Sequence, residues 1–113
     1  MKKLEIVIRP ENLEEIKEIL NENGCGGMTI LSAVGCGKQK GGKDIEYKGV
    51  KLNINLLPKI QVNAIIEDDI LEGILRDIKE KISTGSVGDG KVFIYDLNDV
   101  MRIRTGERGE KAI

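Results

Sequence analysis

Hydrophobic side chains in this chain recur with a strand period, then a helix period, then a strand period again, and the whole series runs twice. Residues 3–9 alternate, with Leu4, Ile6 and Ile8 on one side and Glu5, Val7 and Arg9 on the other, as a half-buried strand requires. Pro10 ends that strand. Asn12 begins a helix, with Glu15 three residues on in a capping-box arrangement, and Leu13, Ile16, Ile19 and Leu20 form its apolar stripe. Gly24, Gly26 and Gly27 stop the helix, and Met28 to Val34, rich in β-branched residues, reads as the second strand. In the second half, Lys59 to Glu67 alternates, Ile60, Val62, Ala64 and Ile66 against Lys59, Gln61, Asn63 and Ile65. Asp68 or Asp69 then caps a second helix, reinforced by Glu72. Its stripe is Leu71, Ile74, Leu75, Ile78 and Ile82, and Lys79 and Lys81 sit near its C-terminal end, where the helix dipole favours them. Lys91 to Tyr95 is the fourth strand, Met101 to Arg104 a short extended segment, and the tail from Gly106 is expected to be mobile.

Two strand–helix–strand halves in one chain predict an α+β fold of the ferredoxin-like βαββαβ type. Two helices cover one face of such an antiparallel sheet. The other face, carrying side chains such as Val7 and Ile65, is left to solvent or to another subunit, so oligomerisation is expected.

The 113 residues suffice for one domain with a sizeable core. Aromatic residues make up only 3%, so that core must be built from Ile, Leu and Val. Charged residues are 33% but nearly balanced, with a net charge of −1, which lacks the concentrated basic excess of a nucleic-acid binder. No apolar run approaches the roughly 20 residues of a membrane span. The N-terminus enters strand pattern directly, without the apolar region of a signal peptide, and a cytoplasmic location is expected. In that compartment Cys25 and Cys36 should be reduced, partly buried thiols. There is no histidine, which removes the commonest general base and every Ser/His or Cys/His nucleophile pair.

The segment Thr84-Gly85-Ser86-Val87-Gly88-Asp89-Gly90-Lys91 carries the chemistry. Three glycines free backbone N–H groups to face an anion, and a lysine closes the turn. Arg102 and Arg104, two apart in an apolar strand pattern, are expected to point the same way and to add planar guanidiniums suited to phosphate. Gly85 to Lys91 meets the first part of the Walker A pattern, yet Val92 stands where a Ser or Thr is required. The order is also reversed: here a helix leads into the loop and a strand leaves it, whereas a P-loop needs the helix N-terminus at the phosphate. A different phosphate cradle is implied.

Between Gly35 and Pro58, glycines alternate with Lys38, Lys40, Lys43, Lys48 and Lys51. A stretch this long with little regular pattern is more often functional or disordered than filler. Ile45 and Tyr47, then Val50 and Leu52, flank Gly49 and could form a transient hairpin.

These elements together resemble the PII family of nitrogen-regulatory signal-transduction proteins, over essentially the whole chain. The carrying motifs are MKKLEIVIRPENLEEI, GMTILSAVGCGKQKG, LLPK and TGSVGDGKVFIYDLNDVMRIRTGE followed by a closing AI. The resemblance implies a single PII-like domain over 1–113, with a mobile loop at about 37–56 between the second and third core strands, a phosphate-binding loop at about 84–91 and a C-terminal segment at about 97–113. It implies a homotrimer whose subunit clefts bind ATP or ADP in competition. Gly88, Asp89, Gly90 and Lys91 would wrap the phosphates, with Arg102, Ile103 and Arg104 alongside. Val7, Thr29, Asn63 and Ile65 would surround adenine and ribose, and Gly35, Gly37, Lys38 and Gln39 would complete the nucleotide site. With ATP and Mg²⁺ present, 2-oxoglutarate would bind near Gly37, Gln39, Lys40, Gly41 and Lys59. Gln39 would be a ligand of the Mg²⁺, whose preference is for hard oxygens, and Lys59 would meet the distal carboxylate. The family acts without catalysis, through loop conformation, on ammonium channels, nitrogen-assimilation enzymes, nitrogenase or transcription regulators.

This chain departs from the family pattern in places. Lys38 replaces a common arginine and loses its bidentate fork. Asn63 replaces a usual glutamate, and the loop is one residue longer than in common members. Leu52 stands at the position of the tyrosine that is nucleotidylated in many relatives, so no such modification is expected there. That loss fits a specialised regulator of nitrogenase or of an ammonium channel. Two other readings compete. One is a ferredoxin-like phosphatase or slow ATPase using Glu46, Asp89 or Asp96 as base. The other is a structural trimer resembling divalent-cation-tolerance proteins.

Overall fold

The computed structural model describes residues 1–36, 43–47, 50–54 and 56–113, with side chains described for 1–36 and 56–113. Its core is a four-stranded antiparallel sheet built from β1 (Lys2–Ile8), β2 (Thr29–Cys36), β5 (Leu56–Ile66) and β6 (Lys91–Asp96), in the spatial order β2-β5-β1-β6. Helices α1 (Leu13–Glu22) and α2 (Leu71–Lys81) connect the strands of each half. This is the ferredoxin-like arrangement the periodicity predicts.

The alternation in β1 and β5 sets the layers. Leu4, Ile6 and Ile8 face the core opposite Ala64, Val62 and Ile60 in turn, and Ile66 extends the same row. Ile16, Ile19 and Leu20 of α1 and Ile74 of α2 are wholly buried against them. Each such side chain contributes about 1.5–3 kcal/mol by leaving water. Asn23 ties the helices together, its Nδ2 donating to the Ile19 carbonyl at 2.8 Å and to Asp77 Oδ2 at 2.9 Å.

Both helices begin differently from expectation. A 3₁₀ turn precedes each, Pro10–Asn12 and Asp68–Ile70. No side-chain hydrogen bond from Asn12, Asp68 or Asp69 caps either start. The turns satisfy the first amides themselves, Asn12 N–H to the Arg9 carbonyl and Ile70 N–H to the Glu67 carbonyl, and Pro10 has no amide to satisfy. The C-terminus of α1 follows its glycine signal. Gly24 takes φ +88°, its N–H bonds the Asn21 carbonyl, and Cys25 N–H bonds the Leu20 carbonyl, a Schellman closure.

β5 starts at Leu56, three residues earlier than the sequence suggests, and β6 runs one residue longer, to Asp96. Between β2 and β5, β3 (Lys43–Tyr47) pairs with β4 (Val50–Ile54) as a separate two-stranded sheet, with Ile45 opposite Leu52 and Tyr47 opposite Val50, which is the hairpin those residues suggest within the long loop. Both cysteines are free, but only Cys25 is buried; Cys36 is exposed rather than half-covered.

The C-terminal segment is also corrected. Residues 103–105 form a turn rather than continuing a strand: Gly106 N–H donates to the Arg102 carbonyl at 2.8 Å and Arg102 N–H to the Glu107 carbonyl at 2.9 Å. The tail beyond is ordered by Gly109 N–H to the Val100 carbonyl, by the Met101–Arg108 bridge and by Arg108 Nε on Asp99 at 2.7 Å. Among the described residues, no helix is long and apolar enough to cross a membrane.

Candidate functional site

Strand register gathers the site. Residues opposite each other in an antiparallel pair share a face. Val7 lies opposite both Gln61 and Lys91, Thr29 opposite Asn63, Ala33 opposite Lys59 and Gly35 opposite Leu57. With the core face occupied by Ile6, Val62 and Val92, it follows that Val7, Thr29, Gly35, Lys59, Asn63, Ile65 and Lys91 all belong to the face that the helices leave uncovered. These are all the strand residues expected at the nucleotide and metabolite sites.

A polar chain crosses the same face. Tyr95 OH donates to Glu5 Oε2 at 3.0 Å, and Gln61 Nε2 donates to Glu5 Oε1 at 2.9 Å and to Asn63 Oδ1 at 3.1 Å. The bond to Glu5 raises the Tyr95 phenol above its ordinary pKa. Asn63 is thus held by Gln61 of its own strand, which Glu5 of β1 holds in turn. With Thr29 and Ile65 it lines an open cleft of about 300 Å³ that Met28, Val100 and Ile113 also line.

The 84–91 loop is cinched onto the end of this face. Gly85, Gly88 and Gly90 have φ of 81°, 102° and 106°. At Gly90 a Cβ would stand 1.9 Å from the Val7 carbonyl oxygen, so no side chain fits between the loop and β1. Asp89 turns into its own loop. It accepts from Thr84 Oγ1 at 2.5 Å, Thr84 N–H at 2.8 Å, Gly85 N–H at 3.0 Å and Arg9 Nη1 at 2.8 Å. These bonds, that from the Thr84 hydroxyl foremost, lower its pKa to about 2.

Two cations take up the carbonyls of the loop: Arg9 Nη2 donates to Val87 at 3.1 Å, and Lys59 Nζ donates to Gly88 at 3.0 Å. Among the described residues, no hydrogen bond takes up the N–H of Val87 or of Gly88. Lys59 is only 9% exposed and packs against Gly35, where an added Cβ would lie 3.1 Å from its Cγ.

Arg102 and Arg104 stand apart from this loop within the single chain. Arg102 donates to Glu107 Oε1 at 2.9 Å and to the Lys111 carbonyl at 2.8 Å. Ile103 is 91% exposed at the turn, and Arg104 is exposed beside it. Among the described residues, no hydrogen bond or ion pair joins either arginine to 84–91. Gly37, Lys38, Gln39, Lys40 and Gly41 lie outside the described residues, as do the side chains of Glu46, Tyr47 and Leu52. Asp96 is paired with Lys2.

Sequence reasoning gave Arg9, Glu5 and Gln61 no part in the site. The available signal was parity: Glu5 and Arg9 alternate with the same phase as Val7, and Gln61 with that of Lys59 and Asn63.

The family model described as "Nitrogen regulatory protein P-II" matches residues 1–107. The chain is 43% identical over 113 residues to the nitrogen regulatory protein P-II of Rhodospirillum rubrum, covering 100% of each. It is 42% identical to nitrogen regulatory protein P-II 2 of Methanothermobacter thermautotrophicus, covering 100% of this chain and 97% of the relative. Among solved structures, GlnK of B. subtilis matches with a TM-score of 0.79 at 31% identity, over 99% of this chain and 97% of that one.

Proposed function

From the premise that this chain belongs to the nitrogen regulatory P-II family of signalling proteins, we propose that it senses cell status by binding ATP or ADP, with 2-oxoglutarate as second effector. The result is passed to a target protein through the 37–56 segment. The observation that carries this reading is the common face of Val7, Thr29, Gly35, Lys59, Asn63, Ile65 and Lys91, with the 84–91 loop fastened to its edge. One extended ligand, apolar and flat at one end and polyanionic at the other, meets both halves of that surface.

In this reading the amides of Val87 and Gly88 and the ammonium of Lys91 face phosphate oxygens. Asn63, Thr29 and Ile65 face the base and ribose. Arg102 and Arg104 act on a neighbouring subunit's nucleotide, so the site is completed only by assembly. Exposed apolar side chains on the sheet, including Leu31, Phe93 and Tyr95, support a subunit contact there, and a homotrimer is the proposed assembly. Mg²⁺ would travel with the nucleotide and be held by its phosphates together with Gln39. Among the described residues no three His, Cys, Asp or Glu side chains gather to hold an ion by themselves. The ion supplies charge neutralisation when bound.

The protein is proposed to act without catalysis. Asp89, with its pKa near 2 and four donors on its carboxylate, is a poor proton acceptor. The proposed location is the cytoplasm. The target belongs to the class of ammonium channels, nitrogen-assimilation enzymes, nitrogenase or transcription regulators. Leu52 offers no hydroxyl for nucleotidylation.

Isothermal titration tests the proposal. ATP and ADP should each bind, and 2-oxoglutarate should bind only when ATP and Mg²⁺ are present. Turnover of ATP at catalytic rates, or no heat with either nucleotide, overturns it. Light scattering of the eluted protein checks the trimer.

A further inference from the structure

Arg9 lies outside the residues assigned above to ligand contact, yet it makes the most structured grip on the phosphate loop. It sits at the end of β1, and its backbone is fixed from both sides. Pro10 holds it in the extended region, at φ −65° and ψ 143°, and its carbonyl accepts the Asn12 N–H at 3.0 Å. From this base the guanidinium forks: Nη1 reaches Asp89 Oδ1 at 2.8 Å and Nη2 reaches the Val87 carbonyl at 3.1 Å.

The second of those bonds sets a direction. The peptide between Val87 and Gly88 is trans and planar, so its carbonyl and its N–H point opposite ways. Drawing the Val87 oxygen toward Arg9 turns the Gly88 N–H away from Arg9, and among the described residues that N–H has no protein partner. A loop free to flip this peptide would present an oxygen to an anion instead of a donor. Meanwhile the first bond neutralises Arg9 with Asp89, whose other contacts close the loop on Thr84 and Gly85.

We propose that Arg9 is a positioning residue of the nucleotide site, which holds the Val87–Gly88 peptide in the orientation that aims the Gly88 amide at a triphosphate. The inference rests on the nucleotide-binding reading. Arg9 contributes by ordering the loop before the ligand arrives, and a lysine in its place supplies the charge without the planar fork.

The test uses the full chain as Arg9→Gln and Arg9→Lys, with Thr84→Val as a second way of loosening the same loop should Arg9→Gln fail to fold. ATP affinity is measured by titration, and amide hydrogen exchange over residues 84–90 is measured in the ligand-free protein. Arg9→Gln should weaken ATP by about tenfold, the worth of one hydrogen bond to a charged group, and speed exchange of the loop before ligand is added. Arg9→Lys should recover part of both, and Thr84→Val should speed exchange and weaken ATP together. Wild-type affinity in a folded Arg9→Gln variant overturns the inference while leaving nucleotide binding intact. So does lost affinity with unchanged exchange in the ligand-free loop, which would make Arg9 a direct contact. Wild-type protein indifferent to ATP removes the nucleotide reading itself, and this inference with it.

Discussion

Lys59 Nζ donates to the carbonyl oxygen of Gly88 at 3.0 Å, joining β5, one of the two inner strands, to the 84–91 loop through one buried side chain. The same ammonium is the group proposed to receive the distal carboxylate of 2-oxoglutarate. On the proposed function, binding of the acid would compete with, or share, a bond that shapes the 84–91 loop, and the two ligands would be coupled through Lys59. Thermodynamic reciprocity then requires each to alter the other's affinity by the same factor.

Replacing Lys59 by Gln separates the two roles. The amide still donates a hydrogen bond but carries no charge. Affinity for 2-oxoglutarate in the presence of ATP should fall on the order of thirtyfold, the worth of a charge-assisted bond. ATP alone should weaken by a smaller factor. Titration of each ligand in both orders checks the outcome, and equal losses for both would contradict the assignment.

Gly90 and Gly85 both have positive φ, but their surroundings differ. A Cβ at Gly90 would lie 1.9 Å from the Val7 carbonyl oxygen, whereas one at Gly85 meets nothing within 4 Å. Gly85→Ala should cost about 1–2 kcal/mol for the left-handed backbone alone. Gly90→Ala must also push β6 away from β1 and should cost several times as much, or prevent folding. Urea unfolding midpoints of the two variants measure the difference.

The Asp89 carboxyl is lowered from 3.8 to about 2 in the folded chain. Its contribution is fully present above the unfolded value and is lost as pH falls through the folded value. Thermal stability of the wild type should therefore decline from about pH 4 toward pH 2. Asp96 and Asp99 are shifted in the same direction by Lys2 and Arg108 and add to that decline. Asp89→Asn should be less stable at neutral pH and lose less on acidification, so the two curves converge near pH 2. Melting temperatures measured across that range test the sign.

Ile16 is wholly buried between the helices and the sheet. Ile16→Ala should destabilise by about 2–5 kcal/mol, from lost transfer energy plus the cavity left behind. Denaturant unfolding with an unchanged m-value would place the loss in the folded state.

The core was legible because its signals are local. Alternation in β1 and β5, the stripes of α1 and α2 and the glycine stop after α1 each depend on near neighbours in the chain. What escaped depends on partners distant in sequence or on backbone alone. Arg102 and Arg104 carry a strand-like pattern, but Glu107 and Gly106 fold that segment into a turn. Asn12 and Asp68 have the chemistry of caps, and a backbone 3₁₀ turn supplanted them in both places. Arg9 finds Asp89 at a sequence separation of 80, a pairing that no local pattern announces. Much of the candidate site was legible by phase, since residues two apart in a strand share a face. The loop's internal closure by Asp89 was not, because an aspartate between glycines reads equally well as a ligand contact.

That every strand residue of the site falls on one phase has an evolutionary corollary. Inserting or deleting a single residue within β1, β2, β5 or β6 would exchange the lining of the core with that of the ligand surface, and such changes should be purged. Among the described residues the β3–β4 hairpin pairs only with itself, so a change of length there leaves the register of the four-stranded sheet, and with it the two faces, untouched.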